Sequence, residues 1–206
     1  MMLDDLMRLA PVIPVLVIER ERHAVPLARA LVAGGLRALE VTLRTPVALD
    51  CIRRIGAEVE GAVVGAGTVL SVKDLEACAR VGAKFAVSPG LTDSLAEART
   101  LGVPLLPGVA TPSEAMHAAD HGLTRLKFFP AVPNGGVPVL KAWAGPLPRL
   151  KFCPTGGITP ANAREFLALP NVACVGGSWM VPPGAVEGER WDEITALARE
   201  AVALGS

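Results

Sequence analysis

The chain has 206 residues, 51% hydrophobic and 19% charged, so it can bury a large core and is not a disordered polymer. Twenty basic residues balance twenty acidic ones without a basic block, which excludes a nucleic-acid clamp built on phosphate neutralisation. No apolar run approaches the roughly 18–20 residues of a membrane-spanning helix, and the start Met1-Met2-Leu3-Asp4-Asp5 lacks the basic region of a secretory signal.

Short apolar or β-branched runs begin near Val12, Arg37, Ala62, Lys84, Val103, Thr124, Leu150 and Val172. Gaps of roughly 19 to 26 residues hold one strand and one crossover helix each, the pattern of parallel βαβ units. Helix punctuation fills the gaps. Ser71 to Asp74 opens one helix, Thr111-Pro112-Ser113-Glu114 is a capping box with a first-turn proline, and Thr159-Pro160 opens another. Gly34, Gly82 and Gly122 stand where helices should stop, and Asp192 to Ala203 reads as a final amphipathic helix. Proline and glycine are spread rather than pooled, so residues 1–206 are expected to form a single domain. Eight units in this length predict a minimal α/β (β/α)8 (TIM) barrel. An open doubly wound sheet fits less well, because the first strand runs into Val17-Ile18-Glu19-Arg20 without a glycine.

Unusual residues gather at the predicted C-terminal strand ends, the rim that holds the active site in such barrels. They are Glu40 to Arg44, Gly65 to Thr68, Ser88-Pro89-Gly90, Lys127 to Pro130, Thr155-Gly156-Gly157 and Gly176-Gly177-Ser178. In Leu39-Glu40-Val41-Thr42-Leu43-Arg44, alternation puts Glu40, Thr42 and Arg44 on one face, and the apolar set should meet the helices. Glu40 and Arg44 are therefore expected inside the barrel mouth, as a structural ion pair or as part of a site for an anionic substrate.

Lys127 is the sharper signal. Of five lysines, Lys73 and Lys141 fall on predicted helices, and Lys84 and Lys151 open strands. Only Lys127 lies well inside an apolar strand, Leu126-Lys127-Phe128-Phe129-Pro130. An amine held away from water favours its uncharged form, which can attack a carbonyl carbon. The competing reading is a lysine that snorkels or pairs with Glu40. The two Gly-Gly pairs follow the last two strands, where backbone N–H groups often hold phosphate, and Ser178 adds a hydroxyl.

His117 and His121 have the i, i+4 spacing of metal ligands, but no third ligand is legible, and a solvated face is the expectation. His23 is likewise expected at the surface. Cys51, Cys78, Cys153 and Cys174 are scattered singly, which predicts reduced, mostly buried thiols in a cytoplasmic protein and no structural zinc.

Together these residues describe an aldol cleavage that needs neither metal nor cofactor. A lysine forms an imine with a phosphorylated 2-oxo acid, and a glutamate moves the proton at the C4 hydroxyl. The motifs Glu40 to Thr45, Gly65 to Leu70, Ser88-Pro89-Gly90, Lys127 to Ala131, Phe152 to Ile158 and Gly176 to Trp179 closely resemble the bacterial 2-keto-3-deoxy-6-phosphogluconate (KDPG) aldolases. The resemblance implies a homotrimeric (β/α)8 barrel of the Entner–Doudoroff pathway, giving pyruvate and glyceraldehyde 3-phosphate. It also implies cleavage of 4-hydroxy-2-oxoglutarate by some members. By that resemblance Lys127 is the Schiff-base lysine and Glu40 the general acid/base. Arg44 and Thr68 contact the pyruvate part, Pro89 and Phe129 wall the pocket, and Thr155 lies near the substrate hydroxyls. Gly156, Gly157 and Ser178 cradle the phosphate, and Gly176 and Gly177 of the second glycine pair are further substrate-binding candidates. A metal-dependent pyruvate aldolase, a phosphosugar isomerase or synthase, and a phosphate-ligand binding protein are the rival readings.

Overall fold

The computed structural model describes residues 2–205; the end residues 1 and 206 of the expected domain lie outside them. Helix α1 (Leu3–Met7) precedes strand β1 (Val12–Leu16), after which strands and helices alternate. Helix α2 (Ala24–Ala33) leads to β2 (Ala38–Thr42), α3 (Ala48–Glu58) to β3 (Val63–Gly67), and α4 (Val72–Arg80) to β4 (Ala86–Val87). The short α5 (Asp93–Glu97) is followed by β5 (Leu105–Leu106), β6 (Gly108–Val109) and α6 (Pro112–Asp120). Strand β7 (Arg125–Phe128), α7 (Gly136–Trp143), β8 (Lys151–Pro154), α8 (Pro160–Leu167) and β9 (Val175–Gly177) come next. Helices α9 (Pro183–Glu187) and α10 (Trp191–Val202) close the series. Every helix start that the sequence marks is capped as its residues require. Ser71 accepts from Asp74 N, and Thr111 with Glu114 and Thr159 with Asn162 form capping boxes.

All strand pairs are parallel, but they fall into two sheets rather than one closed ladder. The larger runs β5-β4-β3-β2-β1-β9 and the smaller β6-β7-β8. One break lies inside the expected fifth strand. Leu105 and Leu106 pair with β4 and Gly108 with β7, while Pro107, which has no N–H to donate, stands between them. The Pro107 carbonyl still accepts from Lys127 N at 2.8 Å. The other break separates β8 from β9, whose neighbourhoods are joined by the isolated bridges Phe152 to Val172 and Thr155 to Gly176. There β8 bonds the segment just before β9, with Phe152 N donating to Asn171 O at 2.8 Å and Ala173 N to Phe152 O at 3.0 Å.

Alternation sorts the side chains into two layers. Leu16, Leu39, Val41, Leu126 and Phe128 point outward into the core shared with the helices. The opposite faces carry Ile13, Ala38, Val87, Leu106, Cys153 and Cys174, packed with Phe85 and with Leu6 and Met7 of α1. Thus α1 plugs the N-terminal end of the curled sheet with apolar side chains. Among the described residues no helix is long and apolar enough to cross a membrane. The four thiols are buried and free, as expected. Burial pushes Cys51 up to about 11 and Cys78 up to about 12, while a hydrogen bond to Cys153 and full burial raise Cys174. Such thiols are inert at neutral pH.

Candidate active site

Glu40 is the central residue of β2, a strand buried along its whole length, and is itself only 3% exposed. It shares the inner face with Ala38, and β3 makes room for it. A Cβ on Gly67, the β3 partner of Thr42, would collide with the Glu40 carboxylate, so glycine is required at that position. Lys127, 6% exposed, lies in β7 on the same face as Arg125 and reaches across from the smaller sheet. Its Nζ donates to Glu40 Oε1 at 3.3 Å and lies 5.0 Å from the centre of the Phe129 ring. This buried pair joins the two sheets through side chains that stand far apart in sequence. Burying both charges without a partner would cost several kcal/mol each, and the pairing offsets that cost.

Around the pair, the expected residues stand at the C-terminal strand ends. Thr42 is fully buried and donates its hydroxyl to Leu16 O at 2.9 Å, tying β2 to β1. Arg44 departs from expectation. Strand β2 ends at Thr42, so alternation no longer governs Arg44, which is exposed on the following turn rather than inside the mouth. It reaches the rim from there, with Nε donating to Thr68 Oγ1 at 3.2 Å. Thr68 holds φ at 59°, an unusual conformation for a β-branched residue and one that persists only where the surroundings impose it. The cation paired with Glu40 is Lys127, the pairing weighed for that lysine, and not Arg44.

Ser88 is fully buried, and its hydroxyl donates to Gly90 O at 2.6 Å. That turn leaves Pro89 exposed, with its carbonyl packed on Gly108 at the head of β6. On the other side, Ala131 N donates to Thr155 O at 2.8 Å and Val132 N to Gly156 O at 3.0 Å. These bonds clamp the loop after Lys127 onto the loop after β8. Gly156 and Gly157 have φ of 100° and 78°, and side chains there would also strike Pro130 and Val132. Thr155 is buried and bridges Gly176. The Trp179 ring covers Gly177, while Ser178 is exposed.

A cleft of about 600 Å³ opens at the C-terminal ends of β1 and β9. Val15, Val17, Arg20, His23, Ser178 and Trp179 are among its walls, whereas Lys127 and Glu40 are not. Val15 is the partner of Glu40 in the β1–β2 ladder, so one wall residue of the cleft neighbours the buried pair. Sequence reading missed Val15, Val17 and Arg20, although Val15 and Val17 share the parity of inward-facing Ile13. His23 needs correction, because it is 3% exposed rather than at the surface. Its Nε2 is 3.3 Å from Glu189 Oε1, and its ring packs edge-on against Trp191 at 5.9 Å.

The histidine pair lies on a partly exposed face, as expected, but it is not alone. Asp93, distant in sequence, supplies the third ligand type beside His117 and His121.

Comparison with known proteins places this geometry. Residues 3–197 match the model of the KDPG and KHG aldolases. The KHG/KDPG aldolase of Escherichia coli strain K12 is 56% identical over 200 residues, covering 97% of this chain and 94% of that protein. A crystal structure of the Zymomonas mobilis ZM4 KDPG aldolase with 3-phosphoglycerate is 54% identical, with a TM-score of 0.92 over 98% of this chain and 95% of that one. The Legionella pneumophila KDPG aldolase, with pyruvate captured at low pH as a covalent carbinolamine intermediate, is 47% identical. Its TM-score is 0.93 over 97% of each chain.

Proposed function

Since the chain belongs to the KDPG and KHG aldolase family, we propose that it is a class I aldolase that cleaves 2-dehydro-3-deoxy-6-phosphogluconate to pyruvate and glyceraldehyde 3-phosphate. The observation that carries this reading is the buried Lys127–Glu40 pair at 3.3 Å. Lys127 Nζ adds to the C2 carbonyl to give a carbinolamine, which loses water to form an iminium. Glu40 takes the proton of the C4 hydroxyl, the C3–C4 bond breaks, and its electron pair flows to the iminium nitrogen. The aldehyde departs and leaves an enamine, to which Glu40 returns the proton at C3. Water then releases pyruvate and restores the amine.

The contact between the two groups supports this division of labour, because one carboxylate can serve both proton transfers without moving far. Arg44 and Thr68, linked at the rim, hold the substrate carboxylate, and Pro89 and Phe129 wall the pocket. Thr155 faces the hydroxyls. The positive-φ loop Gly156-Gly157 and the loop Gly176-Gly177-Ser178 hold the phosphate, where backbone N–H groups can converge on an anion. Anchoring the distal phosphate orients the bond that breaks. No metal and no cofactor enters these steps.

A second substrate is 4-hydroxy-2-oxoglutarate, since the E. coli relative carries both substrates in its name. It presents the same C2 carbonyl and C4 hydroxyl but no phosphate. We read residues 1–206 as one domain and the two sheets as arcs of a (β/α)8 barrel, completed at Pro107 and at the Thr155–Gly176 bridge. The family resemblance supports a homotrimer in the cytoplasm, and sedimentation velocity tests the assembly. The chemistry is tested by incubating the protein with pyruvate and borohydride and mapping the adduct by mass spectrometry. A reduced pyruvyl group on Lys127 is expected. Full activity with an unlabelled Lys127 would overturn the mechanism.

A further inference from the structure

Away from the aldol site, three ligating side chains converge on the flank of α6. His117 lies within that helix and His121 follows it by one turn, with ring centroids 4.9 Å apart. Asp93, the first residue of α5, brings Oδ1 to 3.1 Å from His117 Nε2. One donor atom from each of the three lies within 4.8 Å of the others. We propose that Asp93, His117 and His121 form a binding site for a divalent transition-metal ion of the zinc class.

Zinc bonds of about 2.0–2.1 Å in a tetrahedron hold donor atoms roughly 3.3 Å apart. The Asp93–His117 pair already has that spacing, and closing the remaining gap needs a shift of about 1.5 Å. Asp93 is exposed and His117 half-exposed, so small rotamer changes supply the shift without disturbing a core. Two imidazoles and one carboxylate suit zinc, copper or nickel and not magnesium or calcium, which prefer oxygen donors. Water completes the fourth position, as in open three-ligand sites. An ion pair between Asp93 and a protonated His117 accounts for one contact. A shared cation accounts both for that contact and for the packing of the two imidazoles against each other.

A bound ion would fasten α5, just past the Ser88-Pro89-Gly90 turn, to α6. The site is therefore structural, and its test is independent of the aldolase reading. The untagged chain, freed of metal, is titrated with zinc chloride in a calorimeter, and its melting temperature is followed with and without zinc. Expected are one ion per chain, a higher melting temperature with zinc, and intense visible bands when cobalt(II) replaces it. His117→Ala, His121→Ala and Asp93→Asn should each weaken binding by about 10-fold or more, since even outer-shell partners of metal sites are worth that much. The metal-free variants should keep the melting temperature and turnover of the metal-free parent. The absence of stoichiometric binding would overturn the site. So would an affinity for zinc unchanged by Asp93→Asn, which would leave the Asp93–His117 contact an ion pair only.

Discussion

Strand β7 carries two inward cations two residues apart, and their fates differ. Arg125, at the N-terminal end, pairs with Asp4 of α1 through Nε and Nη2 at 2.5 and 2.9 Å. Lys127, at the other end, pairs with Glu40 in a pocket that leaves the lysine side chain 7% exposed and the glutamate 4%. Strand β2 repeats the pattern, with Ala38 in the apolar plug and Glu40 two residues further at the site. One end of the curled sheet is filled by Leu6, Met7 and Phe85, and its ion pair lies at the margin, half in water. The other end keeps its ions in the interior and its walls in loops. The difference teaches that charge burial, not charge itself, distinguishes the end proposed to carry the chemistry. A wet bidentate pair stabilises slightly, whereas a dry monodentate pair stores reactivity at the cost of desolvation.

The comparison can be broken most decisively at Lys127. Lys127→Ala should lose the borohydride adduct and cut kcat/KM by about 10⁴ or more, because no other group supplies the imine. Retained turnover would mean that the dry pair is structural like the wet one. Glu40→Gln should still form the adduct, at least in part, but slow carbon–carbon cleavage by about 10² to 10⁴. Single-turnover measurements check it, and equal cleavage would remove Glu40 from the proton transfers.

Much of this contrast was legible in the sequence, for reasons that can be located. Strand starts fell within about three residues of the predicted ones, because parallel strands covered on both faces write nearly continuous apolar runs. Lys127 and Glu40 were visible as charges interrupting such runs. The short α1 was not, since five residues give too little periodicity to separate a helix from a tail. Arg44 was misplaced because alternation holds only while the strand lasts, and turns write no parity. The burial of His23 depends on Trp191 and Glu189, and the approach of Asp93 to His117 depends on how α5 meets α6. Both are tertiary facts that local spacing does not encode. The breaks between the sheets arise at Pro107 and where β8 bonds the residues just before β9, details below the reach of an eight-unit count.

The apolar plug sharpens the comparison from the other side. Leu6 is 1% exposed, so Leu6→Ala should cost about 2–5 kcal/mol of stability while leaving kcat nearly unchanged below the melting transition. Denaturant unfolding with parallel kinetics checks this, and a large kcat loss in the folded variant would tie the two ends together. Ser178→Ala removes one hydroxyl at the loops proposed to hold the phosphate, worth about 1 kcal/mol, or roughly fivefold. The loss should appear in KM for the phosphorylated substrate and not for 4-hydroxy-2-oxoglutarate. Equal losses for both would argue against the phosphate assignment.

The smallest effect lies at the wet pair and has a definite sign in pH. Its hydrogen bonds to Arg125 hold the Asp4 carboxyl below the usual carboxylate range. A carboxyl whose folded value is depressed adds stability above its unfolded value near 4, and that stability is lost as pH falls through the folded value. Asp4 is 44% exposed, so water screens the pair and the contribution should stay below about 1 kcal/mol. Asp4→Asn should therefore melt slightly lower than the parent at neutral pH, with the gap constant down to about pH 5. Below pH 4 the two curves should converge as the parent's carboxylate takes up its proton. A gap that widened in acid would reverse the sign and show that Asp4 is not held charged by Arg125. A gap of several kcal/mol at neutral pH would instead place this pair in the dry class with Lys127 and Glu40, and the contrast between the two ends would fail.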